Sequence, residues 1–147
     1  MQKLEIMPKI GVGPIRIAMS RAEVREHLGA PEGDGNEERE WYLEDLAIDF
    51  NSSGEVEFIE IAESDNYKAI LNSKCLLDLD AEAAIAHVQA IAPFDENAPE
   101  FGYTYVFPEL QISLWRPVIP DEEQDPDDPT GRRFESVGVG GDGYFDD

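Results

Sequence analysis

The chain of 147 residues has the length of one ordinary domain, and 41% apolar residues are enough to fill one core, which argues against multi-domain enzyme architectures. Eleven Lys and Arg against 33 Asp and Glu leave a formal charge of −22, so nucleic acid and anionic membrane are poor partners. The charge is uneven: residues 1–30 hold five bases and three acids (+2), and residues 31–147 hold six bases and 30 acids (−24), which places the acidic surface downstream of the first helix.

Disorder would require few aromatics and little periodic apolar sequence, whereas aromatics make up 10% of this chain, so a folded acidic domain is expected. The single cysteine, Cys75, cannot form an internal disulfide, and MQKLEIMPKIGVGPIRIAMS lacks the pattern of a signal peptide, so the expected compartment is the cytoplasm. No stretch approaches the roughly 20 apolar residues that span a bilayer.

Residues 10–17 read as an extended strand with Ile15 and Ile17 on one face. Ser20 and Glu23 then form a capping box, Met19 and Val24 take the positions of a hydrophobic staple, and Gly29 and Pro31 supply the stop, which predicts a helix over 21–28. An acidic loop is expected over 32–40. Residues 41–50 (WYLEDLAIDF) alternate Leu46, Ile48 and Phe50 against Ala47 and Asp49, the period of a half-buried strand, and residues 51–54 (NSSG) turn the chain into a partner strand over 55–62. The apolar phase of that partner changes between Phe58 and Ile59, which suggests a bulge.

The same order then recurs. Residues 69–79 read as a strand, and Asp80 can cap a helix over 81–91 whose face includes Ile85, Val88 and Ile91 before Pro93 ends it. Residues 101–107 alternate Phe101, Tyr103, Tyr105 and Phe107 against Thr104 and Val106, and residues 109–115 set Leu110, Ile112 and Leu114 against Gln111, Ser113 and Trp115. A last strand is expected over 133–139, after an acidic insertion at 119–131. The halves align at offsets of about 60 at the helix caps and about 64 at the strands. The expected fold is therefore α+β: one domain over 1–147 built from two diverged β-α-β-β units, about 1–66 and 67–147, with antiparallel sheet and two short helices. Such an order also arises by chance in α+β domains, and that alternative stays open.

Residues 121–130 (DEEQDPDDPT) hold six acids and two prolines, so they are expected to stay solvated and extended. Pro126 stands where an EF-hand loop needs Gly and Arg132 where it needs Glu, so that reading is rejected. The loop is either merely solvated or an acidic arm that enters the cationic cleft of a partner. Trp41, Tyr42, Tyr103, Tyr105 and Trp115 cannot all face a core of this size, and those outside it are typical binding anchors; the plainer alternative is that two or three pack beneath the helices. The candidate partner-binding residues are these five aromatics, Asp49 and Glu57 on the first strand pair, and Asp121, Glu122, Glu123, Asp125, Asp127 and Asp128 in the loop.

Catalytic patterns are weak. His27 and His87 stand on helices without Cys or His neighbours, Cys75 reads as a buried thiol, and the Gly-rich stretches at 11–13 and 138–141 read as turns. No cofactor, no metal site and no enzymatic activity are expected. With 33 acids, pairing Asp49 with Glu57 or Glu60 points to nothing specific.

The stretch IGVGPIRIAMSRAEV (10–24), continued by Leu28, Gly29, Ala30 and Pro31 and then by LAIDFNSSGEVEFIEI, resembles small bacterial proteins that include immunity proteins of polymorphic and contact-dependent toxin systems. The Met-Ser-x-x-Glu-Val-x-x-x-Leu-Gly-x-Pro portion is also similar to BamE-like outer-membrane lipoproteins and, in duplicated form, to β-lactamase-inhibitor proteins. Ala18 stands where that pattern has Gly, and no anchoring cysteine occurs near the start. The resemblance implies a binder: an immunity protein that inhibits a cognate toxin domain with a basic surface, of nuclease or ADP-ribosyltransferase type. The alternative is a non-enzymatic scaffold or assembly protein without a toxin partner.

Overall fold

Leu4 and Ile6 turn inward and Lys3 and Glu5 outward along β1 (Gln2–Met7), a strand that the expectations above do not include. The computed structural model describes residues 2–32 and 38–146, so most of the acidic loop expected over 32–40 lies outside the described residues. Residues 10–17 form a small hairpin rather than one strand, β2 (Gly11–Val12) and β3 (Ile15–Arg16), because Gly13 takes a left-handed turn between them. In α1 (Arg21–Leu28) the capping box forms: the Glu23 amide donates to Ser20 Oγ at 3.2 Å and the Ser20 amide donates to Glu23 Oε1 at 3.1 Å. Val24 is buried, and Met19 and Leu28 are partly buried against the core.

Residues 41–50 also divide in two. Leu43 and Glu44 adopt positive φ and fold β4 (Arg39–Tyr42) back on β5 (Leu46–Phe50). The Asn51 carboxamide accepts from the Ser53 and Glu55 amides and sets the turn into β6 (Val56–Ala62). The bulge falls at Glu57, where Asp49 pairs with Phe58 but Phe50 pairs with Val56. Phe58 and Ile59 are both buried on opposite faces, so the apolar phase change marks a covered outer face and not a bulge at that step.

Positive φ at Asn72 and Ser73 breaks residues 69–79 into β7 (Tyr67–Leu71), β8 (Lys74–Cys75) and a 3-10 turn at Leu76–Asp78. Asp80 stands at the start of α2 (Ala81–Gln89), but its side chain makes no capping bond; the Ala81 amide donates to the Arg132 carbonyl instead. Ile91 lies beyond the helix and is exposed. The last three strands, β9 (Thr104–Phe107), β10 (Ile112–Trp115) and β11 (Ser136–Gly140), are shorter than the apolar patterns, which run on into turns at 100–103 and 108–111.

These elements build an α+β fold with two sheets, in the orders β3-β2-β1-β7-β8 and β4-β5-β6-β11-β10-β9. Every strand pair is antiparallel except β1 with β7. In the larger sheet, three strands from each expected half lie in mirrored order about the β6–β11 pair. Its inner face contributes Leu46, Ile48, Ile59, Ile61, Val137, Val139, Ile112 and Leu114 to one buried cluster with residues of the smaller sheet and both helices. Its outer face carries Arg39, Trp41, Asp49, Phe58, Glu60, Ser113 and Trp115 by alternation. The C-terminal segment covers part of this face: Tyr144 stacks on Phe58 at 4.6 Å, and the Phe145 amide donates to Gln111 Oε1.

Candidate functional site

The turn before β9 presents the most exposed aromatic group. Tyr103 and Thr104 amides both donate to the Glu100 carbonyl, at 3.0 and 2.9 Å, while Glu100 and Gly102 take positive φ. Gly102 is required there twice over, because a Cβ would also come within 2.7 Å of Ile119 Cδ1. The turn lifts Phe101 and Tyr103 to the surface beside Trp115, leaving the three rings 40%, 44% and 41% exposed. Together with Glu100, Arg116 and Pro117 they frame a cleft of about 310 Å³.

Arg116 joins this turn to the acidic insertion. It is 8% exposed; its Nε donates to the Gly102 carbonyl at 2.9 Å and its Nη1 to the Gly131 carbonyl at 3.1 Å. Its guanidinium lies 5.3 Å from the ring centroid of the fully buried Phe134 and 6.0 Å from that of Tyr105. One side chain therefore ties down the aromatic turn and the point at which the insertion rejoins the body. Between α2 and the stem of the insertion lies a second cleft of about 510 Å³, walled by Glu82, Ile85, Tyr105, Ile119 and Arg132.

The insertion is solvent-exposed as its prolines and charges predict, but it is not extended. It is a chain of turns in which Asp121 Oδ1 accepts from the Glu123 and Gln124 amides, Asp125 Oδ1 from the Asp127 amide, and Asp128 Oδ1 from the Thr130 amide and hydroxyl. Gln124 Nε2 donates across the loop to the Asp128 and Thr130 carbonyls, and Arg132 Nε to the Asp128 carbonyl. The bonds from Thr130 hold the Asp128 carboxyl below the usual carboxylate range. Glu122, Glu123 and Asp127 remain exposed at the loop surface.

The remaining expected residues do not join this surface. Tyr42 belongs to the core: it is 2% exposed and its hydroxyl donates to Glu40 Oε1 at 2.9 Å, so it is no surface anchor. Burial, with the Glu40 carboxylate beside it, pushes its phenol well above the ordinary tyrosine value. Trp41 lies half-buried on the opposite edge strand with the Arg39 guanidinium 5.2 Å from its ring centroid. Arg39 also donates to Asp49, at 2.9 Å through Nη2, and to Glu60 at 3.1 Å, so Asp49 is already paired. Glu57, at the bulge, is half-buried in a cleft with Tyr144. Tyr105 is half-buried among Phe94, Phe101 and Phe134 and reaches only the second cleft. What comes together is Tyr103 and Trp115, with the stem of the acidic insertion tied to the same turn through Arg116.

Glu100, Arg116 and Ile119 were absent from the sequence expectations. Arg116 had a legible signal, an isolated base between Trp115 and Pro117 in a chain with eleven bases. His87 Nε2 lies 2.7 Å from the Leu71 carbonyl, a packing role at the end of β7. Among the described residues no three His, Cys, Asp or Glu side chains are placed to hold a metal ion, and no helix is long and apolar enough to cross a membrane. Comparison with protein-family models, with curated proteins and with solved structures finds no match.

Proposed function

We propose that this chain is an immunity protein, a non-enzymatic cytoplasmic inhibitor that binds a cognate bacterial toxin domain with a basic surface and blocks its active site. The observation that carries this reading is the aromatic cleft at Phe101, Tyr103 and Trp115, fixed by Arg116 to a loop of six acids in a chain of net charge −22. Exposed rings held by a rigid turn supply desolvated contact area at low entropic cost, and a strongly acidic chain draws in a basic surface. Toxins that act on nucleic acid or nucleotides, such as nucleases and ADP-ribosyltransferases, carry the cationic surfaces to which such a face is complementary. The pattern at 10–31 that resembles immunity proteins supports the same reading.

The division of labour is testable by association kinetics with the toxin domain. Neutralising Asp121, Glu122, Glu123, Asp125, Asp127 and Asp128 together by the amide replacements is expected to slow association about tenfold or more at low salt while changing dissociation by about twofold or less. An association rate unchanged at low salt would contradict the role given to the loop.

A further inference from the structure

We propose that the cleft framed by Phe101, Tyr103 and Trp115, with Glu100 at its rim, seats an arginine side chain of the basic partner protein. This rests on the inhibitory reading above and names the contact at its centre. Three large rings stand about 40% or more exposed around one opening of about 310 Å³, room for a guanidinium and its stem. Aromatic faces carry partial negative charge and attract cations, arginine more often than lysine. Glu100 is exposed, and its carboxylate has no hydrogen bond or ion pair with another described residue, so both oxygens are open to a bidentate guanidinium.

The other charge on the lining, the Arg116 cation, opposes a second cation, and the Glu100 carboxylate on the same lining offsets it. The Arg116 guanidinium is turned inward over the fully buried Phe134 and is committed to the Gly102 and Gly131 carbonyls, while the acidic loop held by that same side chain raises the negative potential nearby. The cleft is also preorganised. Phe101 is stacked on Phe94 at 5.6 Å and the Glu100 main-chain carbonyl is held by two amides, so the backbone of the turn and the Phe101 ring are set before the cation enters.

The test uses the full chain with Trp41→Phe, which leaves Trp115 as the one indole. Blocked Gly-Arg-Gly, Gly-Lys-Gly and Gly-Glu-Gly peptides are titrated against Trp115 fluorescence and two-dimensional NMR. Expected is saturable binding of the arginine peptide in roughly the millimolar range, about threefold or more weaker binding of the lysine peptide, and none of the glutamate peptide. Glu100→Gln and Tyr103→Ala are each expected to weaken the arginine peptide about fivefold or more, while Glu26→Gln on the exposed side of α1 leaves it within about twofold. Equal affinity for Glu100→Gln, Tyr103→Ala and the parent, no saturation, or preference for the glutamate peptide would overturn the assignment. Peptide binding in a chain that proves to have no toxin partner would uphold the cleft and remove the inhibitory reading; a toxin complex that leaves Trp115 emission unchanged would do the reverse.

Discussion

Arg116 places a buried charge on two main-chain carbonyls and two aromatic rings, with no ion-pair partner among the described residues. Truncating it leaves the Gly102 and Gly131 carbonyls without donors and opens space beside Phe134. Arg116→Ala is therefore expected to lower stability by about 2–4 kcal/mol, and Arg116→Lys by about half as much, because an ammonium cannot bridge both carbonyls; urea unfolding measures both. A loss under about 0.5 kcal/mol for the alanine variant would mean that the clamp is idle. Tyr42 gives a second residue-level prediction. Its phenol is held above the ordinary value by burial first and by Glu40 second. The unfolded chain ionises this group near the ordinary tyrosine value of 10.0, whereas the folded chain resists. The stabilisation is therefore complete below the unfolded pKa and is lost as pH rises from there towards the folded value. Tyr42→Phe is expected to cost about 1 kcal/mol at neutral pH and to flatten the alkaline loss seen by denaturant titration; parallel pH profiles for variant and parent would contradict it.

Among the elements, β11 shows how small residues shape the outer face. A Cβ on Gly138 would lie 2.4 Å from Phe58 Cζ and 2.5 Å from Ser113 Oγ, and Phe58 is itself pinned beneath Tyr144. Gly138→Ala is expected to cost about 1–3 kcal/mol in thermal or urea unfolding and to show a non-additive coupling with Phe58→Ala, which removes the ring's share of the clash and leaves that with Ser113. Additive losses would show that the ring does not rest on that glycine.

The elements also show what local sequence can specify. The capping box at Ser20 and Glu23, the turn at Asn51 and the alternation of Leu46, Ile48 and Phe50 are local signals, and each forms as read. The break at Leu43 and Glu44 was not legible, because both are residues that seldom take a left-handed conformation, whereas Asn72 and Ser73 are ordinary turn formers whose signal was passed over. β1 was missed although Leu4 and Ile6 alternate with Lys3 and Glu5, a legible period of two; what leaves no local mark is its pairing with β7, some 65 residues away in sequence. In the candidate site, Tyr103 and Trp115 were legible as surplus aromatics, but Tyr42 and Trp41 carry the same composition signal and are taken by the core and by Arg39. The clamp through Arg116 depends on two carbonyls brought together only by the tertiary fold.

Over the whole molecule, charge is sorted rather than spread. Two bases of α1 are engaged within the fold: Arg25 and Arg21 face the buried Glu40 at 2.6 and 3.7 Å, and these pairs tie α1 to β4. Arg39 offsets Asp49 and Glu60 on the outer face, and Lys68 holds Asp78 at 3.2 Å. Glu122, Glu123 and Asp127 are exposed and have no such compensation, so they contribute in full to the negative field of the chain. Such a field costs self-repulsion in the folded chain, a cost that is offset when a basic partner docks. The central claim is that one basic toxin domain docks on the face that carries the aromatic cleft. The measurement that tests it most directly is tagged capture of the chain from cells carrying its adjacent genes, with mass spectrometry, a salt titration and a growth assay of the captured partner with the parent chain and with Tyr103→Ala/Trp115→Ala. The account predicts one basic domain at near-stoichiometric yield, released by salt, whose toxicity the parent suppresses and the double variant does not. Recovery of no such domain, or suppression by both forms alike, would contradict it.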